Sequence, residues 1–171
     1  MENKVISTIK NRVSCRAYTT KKVPLSKIKI IAESGMMAPS GRNRQVANIL
    51  VLKSKNAVEK LRKLSLDVYG HDCFYGANTM IVVHGPKNEA HCIQDCSCIL
   101  ENMFIAATAL KINSCWINQV EDLLNSKNGE KVRKFLNIPT ENIVVGTCIL
   151  GYSSEENIPI KPRKDNFIKI V

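Results

Sequence analysis

Aromatic residues are scarce: four Phe, four Tyr and one Trp make up 5% of the 171 residues. None is interleaved with a basic run, so the stacking platforms that nucleic-acid binding uses are missing. No apolar run reaches the roughly 18 residues needed to span a bilayer. The opening MENKVISTIKNR alternates charged and apolar residues and lacks the continuous apolar core of a secretion signal. Internal repeats and low-complexity linkers are absent, and a single domain over residues 1–171 is expected. There is no G-x-G-x-x-G fingerprint for a resident dinucleotide, no Ser-His-Asp arrangement and no telling pair of carboxylates. His71, His84 and His91 have no partner at a catalytic spacing, so surface or satisfied-core roles are expected for each.

Cysteine, by contrast, is plentiful, at seven residues. An odd number, several within apolar runs, does not form a disulfide framework and points to a reducing cytoplasm. In HCIQDCSC (91–98), Cys92 and Cys96 share a helix face, whereas Cys98 lies about 160° away around the helix. One helix cannot bring all three thiolates to one metal, so they read as small hydrophobes and no metal is expected. The charge is basic, with 25 Lys and Arg against 15 Asp and Glu. Most lysines are dispersed, as on a solvated surface. Only small clusters such as TKK and KPRK break that pattern, which disfavours nucleic acid.

The order of patterns is that of an α+β protein. Helical spacing covers 3–11, 25–37, 57–69, 89–111 and 129–137, and strand-like runs cover 46–53, 79–85, 114–117 and 142–152. A last strand is expected at 166–171, after the polar, Pro-containing stretch SSEENIPIKPRKD. The half-helix ILENMFIAATAL (99–110) is apolar nearly all round, which predicts burial on all sides. An extended arm and a buried helix both favour a second copy of the chain, although a core helix and an intramolecular edge strand fit the pattern too.

Chemistry concentrates in three separated segments. RVSCRAY (12–18) places Arg12, Ser14 and Arg16 on one side of an extended stretch, two guanidinium forks around a hydroxyl. APSGRNRQ (38–45) crowds hydrogen-bonding groups into a short connection, and KPRK (161–164) adds cations near the other end. All three could converge on one anionic ligand.

RVSCRAY, APSGRNRQ, the long helix with NMFIAATAL, then SCWI and LGY followed by PIKPRK occur in an order that resembles the nitroreductase family of flavin enzymes. The resemblance runs over almost the whole chain and is loosest over residues 55–90. It implies a short family member with a mainly antiparallel central sheet flanked by helices. It implies a homodimer that holds FMN at the subunit interface and exchanges C-terminal strands. By resemblance, Arg12, Val13 and Ser14 fall at the FMN phosphate and ribityl chain, and Arg16 near the pyrimidine edge of the ring. Pro39, Ser40, Asn43 and Gln45 match a loop that reaches the ring from the other subunit. Trp116, Ile117 and Asn118 match the strand end beside the ring, with Trp116 fitting a packing role better than a catalytic one. Lys161 and Arg163 match a basic pair at the phosphate. Two departures stand out: Asn118 and Gln119 replace a common glycine, and QVAN replaces QPW after the loop.

The activity so implied is hydride transfer from NAD(P)H to FMN, followed by reduction of a nitroaromatic, quinone or similar acceptor in a two-step exchange. No side-chain catalytic acid is needed, and Arg16 would support the reduced ring. The alternatives are reductive dehalogenation or enoate-type reduction on the same scaffold, or a non-enzymatic basic dimer that binds a phosphorylated ligand.

Overall fold

The computed structural model describes residues 3–171. Four antiparallel strands form one sheet in the order β1-β2-β4-β3: β1 (Asn48–Leu52), β2 (Thr79–Pro86), β3 (Asn113–Ile117) and β4 (Asn142–Gly151). The two central strands are covered on both faces, which explains their nearly unbroken apolar runs. A register shift between Val83 and His84 bends β2 against β4.

Helices cover the sheet on both sides. One layer holds α2 (Leu25–Met36) and α4 (Cys92–Ala109), packed through Ile28, Ile31, Leu100 and Met103. The other holds α3 (Lys55–Tyr69), α5 (Val120–Leu124) and α6 (Gly129–Phe135), packed around Leu61, Phe74, Met80 and Leu123. The first helix, α1 (Lys4–Asn11), lies on α4. Sequence signals set the ends of α3: Ser54 Oγ accepts from the Ala57 N–H at its start, and Gly70 stops it in the left-handed region at φ 72°.

The expected helices and the four strands before residue 152 are all present, with ends moved by a few residues. Helix α5 is an addition: five residues are too few for a periodic pattern to show. Two stretches that were expected to meet a second copy stand uncovered in the single chain. The 99–110 half-helix is buried on one side only, because Ile105 and Ala106 are half-buried and line an open groove with Val5 and Met37. Residues 166–171 pair with no strand of their own chain, and Phe167, Ile168 and Ile170 stand 72%, 81% and 93% exposed. Among the described residues, nothing pairs with the outer edge of β1.

A buried polar network ties α5 and α6 to the sheet. Arg133, 4% exposed, donates to the carbonyls of Pro139 and Asn142, to Glu121 Oε2 at 3.1 Å and to Asn125 Oδ1 at 3.2 Å. Glu121 Oε2 also accepts from the Val144 N–H at 2.8 Å. Burial works to raise the Glu121 carboxyl, but the Val144 N–H, Asn125 and Arg133 outweigh it and hold it below its ordinary range. Asn142 Nδ2 meets His84 Nδ1 at 2.9 Å.

Candidate functional site

After α1 ends, residues 12–19 run along the open edge of β3 and cross to the end of β4. The Cys15 N–H donates to Ser114 O at 2.9 Å, and Ser14 bridges Ser114 in parallel. Further on, the Thr19 N–H donates to Tyr152 O at 2.8 Å and the Ser154 N–H to Ala17 O at 3.1 Å. The N-terminal segment is thereby stitched to the strand from which the C-terminal arm departs. Alternation does the rest: Cys15 is fully buried, and Ser14 and Arg16 point the other way.

A cavity of about 360 Å³ opens between this segment and the arm. Arg12, Val13, Ser14 and Arg16 line one wall, and Lys161 and Arg163 line the other. The segments were nearly 150 residues apart in sequence, and the fold makes them neighbours. Arg12, Arg16, Lys161 and Arg163 form no ion pair among the described residues, and Glu155 is the one carboxylate in the lining. Four cations and a hydroxyl against a single acid make a seat for an anion with several acceptor oxygens. Below them, burial pushes the Cys115 thiol up, while the Arg16 guanidinium and the Ser14 hydroxyl draw it back. Ile158 and Ile160 supply apolar wall, for which the sequence offers a signal in their alternation around Pro159 in an extended arm.

The 38–45 loop lies elsewhere, against the start of α4, and does not line this cavity. Arg42, Asn43 and Gln45 all have positive φ, at 54°, 55° and 51°. Only Asn adopts that region readily, so the other two are held there at a cost of roughly 1 kcal/mol or more each. Several bonds do the holding. The Gly41 N–H donates to Asp95 Oδ1 at 2.9 Å, Arg44 pairs with Glu89 at 2.7 Å, and the Gln45 N–H donates to Ser40 Oγ at 3.2 Å. Gln45 Nε2 also donates to Asn43 Oδ1 at 2.9 Å. Gly41 is required by close approach, since a Cβ there would come within 2.5 Å of the His91 ring. Pro39, Asn43 and Gln45 remain exposed, so this braced loop presents its polar groups outward. Of the two residues that anchor it, Asp95 reads in the sequence only as a carboxylate on the buried face of an apolar helix, and Glu89 only as a charge in the connection before that helix.

The third stretch sits at the end of β3. Trp116 lies against Phe104, with ring centroids 6.0 Å apart, and covers Gly146, where a Cβ would come within 2.7 Å of the indole. Ile117 buries its side chain in the core at 2% exposure. Asn118 is exposed, and its N–H is taken by Gln119 Oε1 at 3.1 Å. The cysteines behave as small hydrophobes: Cys92 and Cys96 are buried with sulfurs 4.0 Å apart, and Cys98 alone is exposed.

The fold and this cavity define an α+β protein with helices on both faces of an antiparallel sheet and a cationic seat at the β3 edge. The chain belongs to the nitroreductase family, whose model matches residues 9–70 and 65–152, and with the family comes the class of oxidoreductase. It is 28% identical over 156 residues to an Archaeoglobus fulgidus protein provisionally named NADH dehydrogenase/NAD(P)H nitroreductase, covering 88% of this chain and 86% of that one. Among solved structures, it resembles a Bacteroides fragilis nitroreductase with bound FMN at TM-score 0.90 and 31% identity, over 99% of this chain and 100% of that one. A Desulfitobacterium hafniense nitroreductase with bound FMN matches at TM-score 0.86 and 26% identity over the full length of both.

Proposed function

We propose that the chain is an FMN-dependent oxidoreductase that takes hydride from NAD(P)H and passes it to a nitroaromatic, quinone or similar acceptor. It works as a homodimer in the cytoplasm. The observation that carries this reading is the meeting of Arg12, Ser14 and Arg16 with Lys161 and Arg163 around one cavity. That donor set fits a phosphate monoester: guanidinium forks and an ammonium match its charge, and Ser14 adds a neutral donor. When bound, FMN supplies the hydride acceptance and donation that the twenty side chains lack.

The chain's own residues then have distinct tasks. Arg12, Lys161 and Arg163 neutralise the phosphate and fix the cofactor's depth. Val13 would lie beside the cofactor, and Ser14 would donate towards its ribityl end. Arg16 would hold a permanent cation near the pyrimidine side of the ring, supporting its reduced form. Arg keeps its proton at any working pH, so that support does not titrate away. Pro39, Ser40, Asn43 and Gln45 border the ring bound by the other subunit. Trp116 acts through packing, Ile117 lies beside it at the end of β3, and the Asn118 side chain would narrow the acceptor side of the pocket. Solvent supplies protons to the acceptor, so no side-chain acid is required.

Steady-state kinetics test the reading. With NADH or NADPH varied against p-nitrobenzoate or benzoquinone, double-reciprocal plots should give parallel lines, the mark of two half-reactions sharing one cleft. No turnover with either donor and either acceptor would sink the proposal in favour of a binding protein.

A further inference from the structure

A second cleft opens where β1 ends and β2 begins, beside the first two turns of α3. It measures about 210 Å³ and shares no lining residue with the cavity of Arg12 and Arg163. Its floor is apolar: Val23 and Val58 are 5% and 3% exposed. Around that floor stand Lys22, Lys53 and Lys55. None of the three ammonium groups has an ion-pair or hydrogen-bond partner among the described residues.

The other charges nearby are already committed. Arg62 pairs with Glu59 and with Asp72 at 3.0 Å, and donates to Ala77 O at 2.8 Å. Lys21 sits over the Tyr152 ring at 4.5 Å and Lys60 over Phe135 at 4.7 Å. The walls are also fixed. Asn78 donates to the carbonyls of Thr20 and Lys21 at 3.3 and 3.2 Å, which ties the Lys22 segment to the head of β2.

Three unpaired ammonium groups around one small cleft repel each other, and an anion relieves that repulsion. The methylene stems of the lysines, standing over the valine floor, set the rest of the ligand's character. A bare hydrated anion gains nothing from them, whereas an apolar body leaves water on contact with them. We propose that this cleft is a second ligand site, separate from the redox cavity, that takes a small organic carboxylate with an apolar body, aromatic or branched.

The test uses the full chain, ¹⁵N-labelled and saturated with FMN, with benzoate as the probe and inorganic phosphate and benzyl alcohol as controls. Benzoate should shift the amides of Lys53, Lys55, Asn78 and Thr79 saturably. Each control should need at least about tenfold more ligand, since it offers only the charge or only the apolar body. Lys22→Gln combined with Lys53→Gln, both exposed positions, should weaken benzoate at least about tenfold and leave FMN retention unchanged. Three outcomes would overturn the proposal: no saturable shift at these amides, as when a partner's arm fills the cleft; equal response to phosphate; or undiminished binding in the double variant. None of these bears on whether FMN occupies the other cavity.

Discussion

The Cys15 N–H donates to the Ser114 carbonyl at 2.9 Å, and this bond holds the N-terminal segment against β3. With Cys15 turned into the core, Ser14 and Arg16 must face the cavity that Lys161 and Arg163 close from the other side. The anion seat is thus a product of strand alternation at a sheet edge.

Removing either end of that seat should weaken the cofactor without unfolding the chain. Arg12→Ala and Arg163→Ala are each expected to lower FMN affinity roughly ten- to a hundred-fold, the usual effect of losing one charge-assisted contact. Riboflavin, which lacks the phosphate, should bind nearly equally to wild type and both variants. Fluorescence titration of apoprotein measures all of these. Unchanged FMN affinity in both variants would remove these residues from the site.

Arg16 separates redox tuning from retention. Arg16→Gln keeps length and polarity but removes the charge. At ~4 Å and an effective dielectric near 20 the lost attraction is up to about 4 kcal/mol, and solvent should return all but ~1–2 kcal/mol of it. The midpoint potential of bound FMN should fall by tens of millivolts, on the scale where about 30 mV corresponds to 1.4 kcal/mol for two electrons. Spectroelectrochemical titration of both proteins, saturated with FMN, decides the point. Equal potentials would place Arg16 away from the ring.

The arm offers a test of assembly. Phe167, Ile168 and Ile170 are exposed in the single chain, and the outer edge of β1 has no partner strand among the described residues. Such an edge and such an arm invite pairing between two copies. Deleting residues 164–171 should therefore lower both the dimer fraction and flavin retention. Light scattering after size exclusion reads the first and absorbance the second. A truncated protein that stays dimeric and yellow would rule out strand exchange.

His84 sets an acid limit on stability. Burial, helped by Arg133, holds its pKa below the ordinary 6.5. It therefore takes up its proton more readily when unfolded than when folded. The unfolded state binds more protons as pH falls below about 6.5, so stability is full above that value and declines below it. Protonation would also set Nδ1 as a donor against Asn142 Nδ2, its 2.9 Å partner. Urea denaturation between pH 7 and 5 should show this decline, and His84→Gln should flatten it. Glu121, held below its ordinary 4.5, adds a second loss only under more acidic conditions. An identical slope in the variant would assign the decline to other groups.

Most of the scaffold was legible because long elements repeat their pattern: α3 and α4 span four turns or more, and β2 and β4 are nearly unbroken apolar runs. The five-residue α5 was not, since it completes barely one turn. The convergence of Arg12 with Arg163 was legible as motif chemistry, but the cause, pairing of residues 14–19 with both β3 and the end of β4, is tertiary. The bracing of the 38–45 loop by Asp95 and Glu89 was hidden for the same reason: each acts some 45 to 54 residues away in sequence. Half-burial of Ile105 escaped because apolar residues facing a groove read the same as apolar residues facing a core.

The most direct test of the whole account is anaerobic mixing of purified, FMN-saturated protein with NADH or NADPH, followed at about 450 nm, where oxidised flavin absorbs. The account predicts stoichiometric bleaching by at least one donor and full return of the absorbance when a nitroaromatic or quinone is added. A chain that fails to retain FMN, or whose flavin stays oxidised with both donors, would contradict it.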